Sequence, residues 1–143
     1  MKKNKILISI IILSILLNIA LISLLLYEKN NPAELRKAWA QATDNANFLY
    51  QQYDETKDPR AYDYALGDVG TIVNLIDFIN YGGNGKLSDY QKIEFSAFYV
   101  KLQENKEFIN EHMTEVIEIF KSLQLEEEDA FIKMMYLNKT IYP

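Results

Sequence analysis

From Ile6 to Tyr27 the chain runs through twenty-two consecutive uncharged residues, most of them Ile and Leu. Wound as a helix, this run is about 33 Å long, enough to cross a hydrocarbon core of about 30 Å. From Glu28 onward the pattern changes. Apolar residues now recur every three or four positions, the spacing of helices with one buried face. Asn31-Pro32 offers an N-cap followed by a proline at the first helical position. Leu35, Trp39, Ala42, Ala46, Leu49 and Tyr53 then form a stripe that predicts a helix ending near Thr56. Asp58-Pro59 repeats the start signal, and Tyr62, Leu66, Val69, Val73, Ile76 and Ile79 or Asn80 carry a second stripe in a helix expected to end at Gly82–Gly85. Gly67 and Gly70 interrupt it at about 1 kcal/mol each relative to Ala, which predicts a close helix crossing or a kink.

Ser88 and Gln91 have the spacing of a capping box and open a third helix, with Ile93, Ala97, Phe98, Val100 and Leu102 as its apolar set. The stripe thins across Gln103–Glu107 and resumes at Ile109, Met113, Val116, Phe120 and Leu123. One long helix, or two joined by a bend near Asn110, would both fit. A last helix is expected from around Leu125, with Glu126–Asp129 at the positive end of its dipole and Phe131, Met134 or Met135, and Leu137 inside. No stretch alternates with a period of two over a strand's length. The expectation is an all-α fold: a single N-terminal transmembrane helix followed by a bundle of four or five helices. Its parts are a short basic cytoplasmic N-terminus (1–5), a transmembrane signal-anchor (6–27), a linker (28–31) and an acidic helical bundle (32–143).

The apolar run exceeds the 7–15 residues of a signal-peptide core, and no small-x-small site follows Leu24, so it is expected to be retained. Ser14 and Asn18 stand at i, i+4 within it. Together they offer a contact to a neighbouring transmembrane helix of order 0.6–2 kcal/mol, and hence a route to a homo-oligomer through the anchor; simple tolerance of a few polar residues is the alternative. Lys2, Lys3 and Lys5 precede the run, while Lys29, Arg36 and Lys37 follow it. The nearer and denser N-terminal charges predict a cytoplasmic N-terminus and an extracytoplasmic domain in the cell membrane.

Of fifteen basic residues, three precede the run, leaving twelve against twenty acidic ones and a formal charge of −8 on the remainder. That sign repels phosphate backbones, which argues against nucleic-acid binding. The absence of cysteine excludes a lipidated-cysteine anchor, disulfides and thiolate chemistry. About 115 residues after the run suffice for one core without a staple. Abundant Lys, Asn, Ile and Tyr fit an AT-rich coding sequence of low-GC bacterial or phage type.

Candidate chemistry is sparse. Asn80–Gln91, with Asn84, Gly85 and Leu87 at the matching places, resembles the calcium loop of EF-hand proteins over twelve residues. Asn80 stands where that loop has its first carboxylate, Gly82 has no side chain, and Gln91 replaces the closing bidentate Glu, so no calcium is expected. His112 is the single histidine and lacks the partners of a zinc site or a nucleophilic triad. Asp54, Glu55 and Asp58, then Glu111 and Glu115, then Glu126–Asp129 read as solvated helix faces. No cofactor, metal or enzymatic activity is expected. Tyrosine is enriched at binding surfaces, and Tyr50, Tyr53, Tyr62 and Tyr64 flank the first helix turn while Tyr81 and Tyr90 flank the glycine loop. These six form a candidate partner surface; the competing reading has them filling bundle edges.

The resulting expectation is a membrane-anchored, extracytoplasmic helical protein–protein interaction module. It would be held in the bilayer by residues 6–27, bind another envelope protein, and serve an accessory, inhibitory, immunity or exclusion role. The alternatives are a ligand-sensing bundle working through a partner protein, and a membrane-tethered cytoplasmic adaptor.

Overall fold

The computed structural model describes residues 31–82 and 85–140. The chain divides into two units, Met1–Glu34 and Leu35–Pro143. Of the first, only its last four residues are described; there the Asn31 side chain accepts a hydrogen bond from the Ala33 N–H at 3.0 Å, the expected cap. The run 6–27, with Ser14 and Asn18, lies outside the described residues. Among the described residues no helix is long and apolar enough to cross a membrane.

The architecture is all-helical, with six helices among the described residues: α1 (Pro32–Thr56), α2 (Pro59–Leu75), α3 (Asp89–Glu104), α4 (Lys106–Glu111), α5 (Met113–Gln124) and α6 (Asp129–Lys139). Side-chain caps set the first three starts. Asp58 caps the Arg60 N–H with Pro59 at the first position of α2. At α3, Ser88 Oγ accepts from the Gln91 N–H while Gln91 Oε1 accepts from the Ser88 N–H, a complete capping box.

Four or five helices become six because the 89–124 stretch breaks twice. Asn105 (φ −123°, ψ 52°) and His112 (φ −114°, ψ 25°) both leave helical geometry. The first break falls within the polar stretch, where no apolar stripe rewards continuity. It sets the Lys106 ammonium 4.6 Å from the Tyr62 ring centroid and buries Ile109. Helix α2 stops at Leu75, well before the glycines. Beyond it Ile76, Ile79, Tyr81 and Leu87 are all buried, a spacing that a helix cannot satisfy. An antiparallel bridge between Asn80 and Lys86 replaces it. Helix α5 ends in a Schellman arrangement: Glu127 N–H donates to Ser122 O at 3.0 Å and Glu126 N–H to Leu123 O at 3.1 Å. Glu126 occupies the left-handed position (φ 54°) usually given to glycine, which delays the start of α6 to Asp129.

A continuous run of rings joins the elements of the second unit. Tyr53 meets Tyr62, Tyr62 meets Tyr50, Tyr50 stacks on Phe120, and Phe120 leads through Phe98 and Phe95 to Trp39, Tyr81 and Phe131. Successive centroids lie 5.0 to 6.4 Å apart. Each such pair contributes about 0.5–1.5 kcal/mol beyond its buried area. The expected stripe of α5 is fully buried, whereas α3 turns Phe95, Phe98 and Leu102 inward and leaves Ile93 and Val100 outside.

Candidate functional site

Four of the six candidate surface tyrosines are core residues. Tyr50, Tyr53, Tyr62 and Tyr81 are buried, and only Tyr64 and Tyr90 stand exposed. A buried ring has no area to offer a partner, so the tyrosine surface reduces to two separate residues on α2 and α3. The hydroxyls explain three of the burials. Tyr62 donates to Leu102 O at 2.6 Å, Tyr81 to Glu127 O at 2.9 Å and Tyr53 to Asn110 Oδ1 at 2.8 Å. Burial raises the pKa of Tyr62 and Tyr81 well above the usual phenol value, because the charged form would lose its hydration.

The glycine loop is used structurally where it is described. Tyr81 N–H donates to Gly85 O at 2.9 Å, and Gly82 and Gly85 both take positive φ. Leu87 is buried, and Gln91, at the position of an EF-hand's closing ligand, is committed to the cap of α3. Asn84 lies outside the described residues. The Glu126 carboxylate ties this loop to two other elements, accepting from Arg36 at 2.8 Å and from the Gly82 N–H at 3.0 Å. Among the described residues, no group of three or more His, Asp or Glu could hold a metal ion. His112 sits half-buried between α4 and α5, its ring 4.2 Å from that of Phe108 and its Nδ1 3.2 Å from Glu115 Oε1. It is less exposed than an ordinary helix-surface residue because the α4–α5 break turns it inwards.

The feature that sequence reasoning missed is the outer face of α3. Ile93 is 65 % exposed and Val100 45 %, with Ala97 exposed between them. Beside this ridge Val73 of α2 and Ile76 just past its end line a groove of about 520 Å³. One rim is fixed by an ion pair, Lys92 Nζ to Asp77 Oδ1 at 2.8 Å; the Asp77 hydrogen bond raises the Lys92 pKa, countered in part by desolvation. On the other side of the ridge a second groove of about 430 Å³ runs towards the end of α6. Its floor includes Lys101, a buried lysine whose ammonium donates to Leu137 O at 2.8 Å and to Asn138 O. Burial lowers its pKa, and the cation closes the carbonyl end of α6 in the favourable dipole sense. A lysine among apolar neighbours gave no sequence signal beyond its helical spacing from Phe98 and Leu102.

Helix α3 is tied to its neighbours at several points. Its N-terminus is boxed, its inner rings belong to the aromatic run, and Asn138 of α6 donates to Glu94 O at 2.9 Å. A Cβ on Gly70 of α2 would lie 3.0 Å from Tyr99 Oη, the tip of a side chain on α3, while one on Gly67 would meet nothing within 4 Å. No protein-family model, curated protein or solved structure matches this chain.

Proposed function

We propose that this chain is a membrane-anchored helical protein–protein interaction module whose docking face is the outer side of α3. The observation that carries the reading is the pair of exposed aliphatic residues, Ile93 and Val100, on one face of α3 beside an apolar groove. Single exposed apolar side chains are ordinary, but Ile93, Ala97 and Val100 share one helix face with Val73 and Ile76 alongside, and contiguous apolar surface of that kind marks interaction sites. The uncharged run at 6–27 supports the membrane part of the reading, and its flanking charges support an extracytoplasmic domain serving an envelope partner.

A photo-crosslinking residue in place of Ser96, between Ile93 and Val100, tests the docking face in intact cells. A discrete adduct is expected at that site and not at Gln41, exposed on α1. Equal yields at both positions count against the face. Orientation is tested with a Gln41→Cys variant and a membrane-impermeant maleimide on wall-stripped cells, on a background free of native cysteine. Labelling without lysis is expected; labelling only after lysis selects the cytoplasmic adaptor instead.

A further inference from the structure

The α3 face has two properties that together narrow its occupant. The first is shape. Ile93 and Val100 form a ridge with small residues, Ser96 and Ala97, between them, and the α2–α3 groove of about 520 Å³ lies directly alongside. A ridge next to a groove is self-complementary. Under a two-fold axis running along α3, the ridge of each copy lies in the groove of the other, an isologous contact of the kind that builds most soluble dimers.

The second property is charge. The ionisable groups lining the two grooves cancel: Asp77, Glu94 and Glu104 stand against Lys92, Lys101 and Lys139. Everything after the apolar run nevertheless carries a formal −8. A basic partner would gain more from the acidic remainder of the surface than from this balanced patch. Two copies of an acidic chain repel each other wherever their net charges face, and like charges oppose association at close range. They approach with least repulsion through a face whose charges sum to zero. Lys92 is bound to Asp77, and Lys101 to the α6 carbonyls.

From this geometry we infer that the outer face of α3 is a self-association surface on which a second copy of this chain docks, Ile93 and Val100 of each copy packing into the α2–α3 groove of the other. This rests on the docking-face reading above and names its partner. Tethering both copies to one bilayer raises their effective concentration, so a contact of modest intrinsic strength suffices.

The test uses the full chain in detergent micelles, with Ala97→Cys treated with a short bis-maleimide and Gln41→Cys as control. A cross-linked dimer is expected at position 97 and not at 41. Adding Ile93→Glu should cut the yield at least about tenfold, the effect of losing one hot-spot side chain. Ile93→Ser, which adds no charge, should lower it as well, and unchanged circular dichroism of both variants verifies that the fold is intact. Equal cross-linking at 41 and 97, or a yield indifferent to Ile93, would place association elsewhere and overturn the inference. A chain that sediments as a monomer with no cross-link at 97 overturns it too. If the Ser96 photo-adduct then still contains a different polypeptide, the docking face stands and only the identity of its partner falls.

Discussion

Helices α3 and α5 carry similar numbers of apolar residues and use them in opposite ways. In α5, Met113, Val116, Ile119, Phe120 and Leu123 all face the core, and its remaining surface is polar or only half-buried. In α3, Phe95, Phe98 and Leu102 face in while Ile93 and Val100 face out, so the helix has apolar residues on both sides and little net amphipathicity. The difference teaches what an apolar stripe means. A one-sided helix needs a single neighbour, whereas a two-sided one is either central in a larger bundle or is waiting for a surface that the chain itself does not supply. Helix α3 lies against α2 and α6, yet among the described residues nothing covers its outer ridge.

Substitution along α3 should separate the two faces by a wide margin. Phe98→Ala removes a fully buried ring from the aromatic run and is expected to cost about 3–5 kcal/mol in urea unfolding. Val100→Ala, two residues on, should change stability by no more than about 0.5 kcal/mol. Similar costs at both positions would mean that α3 has been assigned the wrong face.

Two tyrosines compare the α3 and α5 contacts more finely. Tyr62 donates its hydroxyl proton to Leu102 O of α3, so Tyr62→Phe is expected to cost about 1 kcal/mol. Tyr50 stacks on Phe120 of α5 with a buried hydroxyl that has no hydrogen-bond partner among the described residues, so Tyr50→Phe should be neutral or mildly stabilising. Thermal melts of the two variants check this; a larger loss from Tyr50→Phe would show that its hydroxyl is satisfied after all.

The same burial predicts a pH dependence. The unfolded chain releases phenolic protons near the ordinary value of 10.0, while folded Tyr62 and Tyr81 keep theirs because burial raises their pKa. Above pH 10 the folded state therefore binds more protons than the unfolded one, and stability falls as pH rises through that window. Melting temperatures of the parent chain should decline there, and those of Tyr62→Phe less steeply. Parallel declines would remove Tyr62 as a contributor.

The first three helices were legible because their starts are local chemistry. Asn31-Pro32, Asp58-Pro59 and the Ser88–Gln91 box each fix a helix end with a side chain a few residues from the group it satisfies. The one-sided stripe of α5 was legible for the same reason that it packs: all its information points one way. The register of α3 was not legible, since Ile93, Ala97 and Val100 match helical spacing as well as Phe95, Phe98 and Leu102 do. Choosing between them requires knowing that Trp39 and Phe120 wait on the inner side. The tyrosines misled because a phenol suits a surface and a satisfied core site equally well. For Tyr62 and Tyr81 the satisfying carbonyls lie about 40 residues away in sequence, at Leu102 and Glu127. The first break, at Asn105, lies in a polar stretch whose only signal was a thinning stripe.

The most direct test of the two-faced helix is thiol reactivity along it, again on a chain without native cysteine. Single Ile93→Cys, Ala97→Cys and Val100→Cys variants are compared with Leu102→Cys on α3 and Val116→Cys on α5. In dilute native protein the first three should react with a maleimide at rates close to those of the denatured chain, slowing as concentration rises and copies associate. Leu102→Cys and Val116→Cys should react only as fast as the protein opens, at any concentration. Protection of positions 93 and 100 in dilute native protein, with ready labelling at 102, would contradict the account.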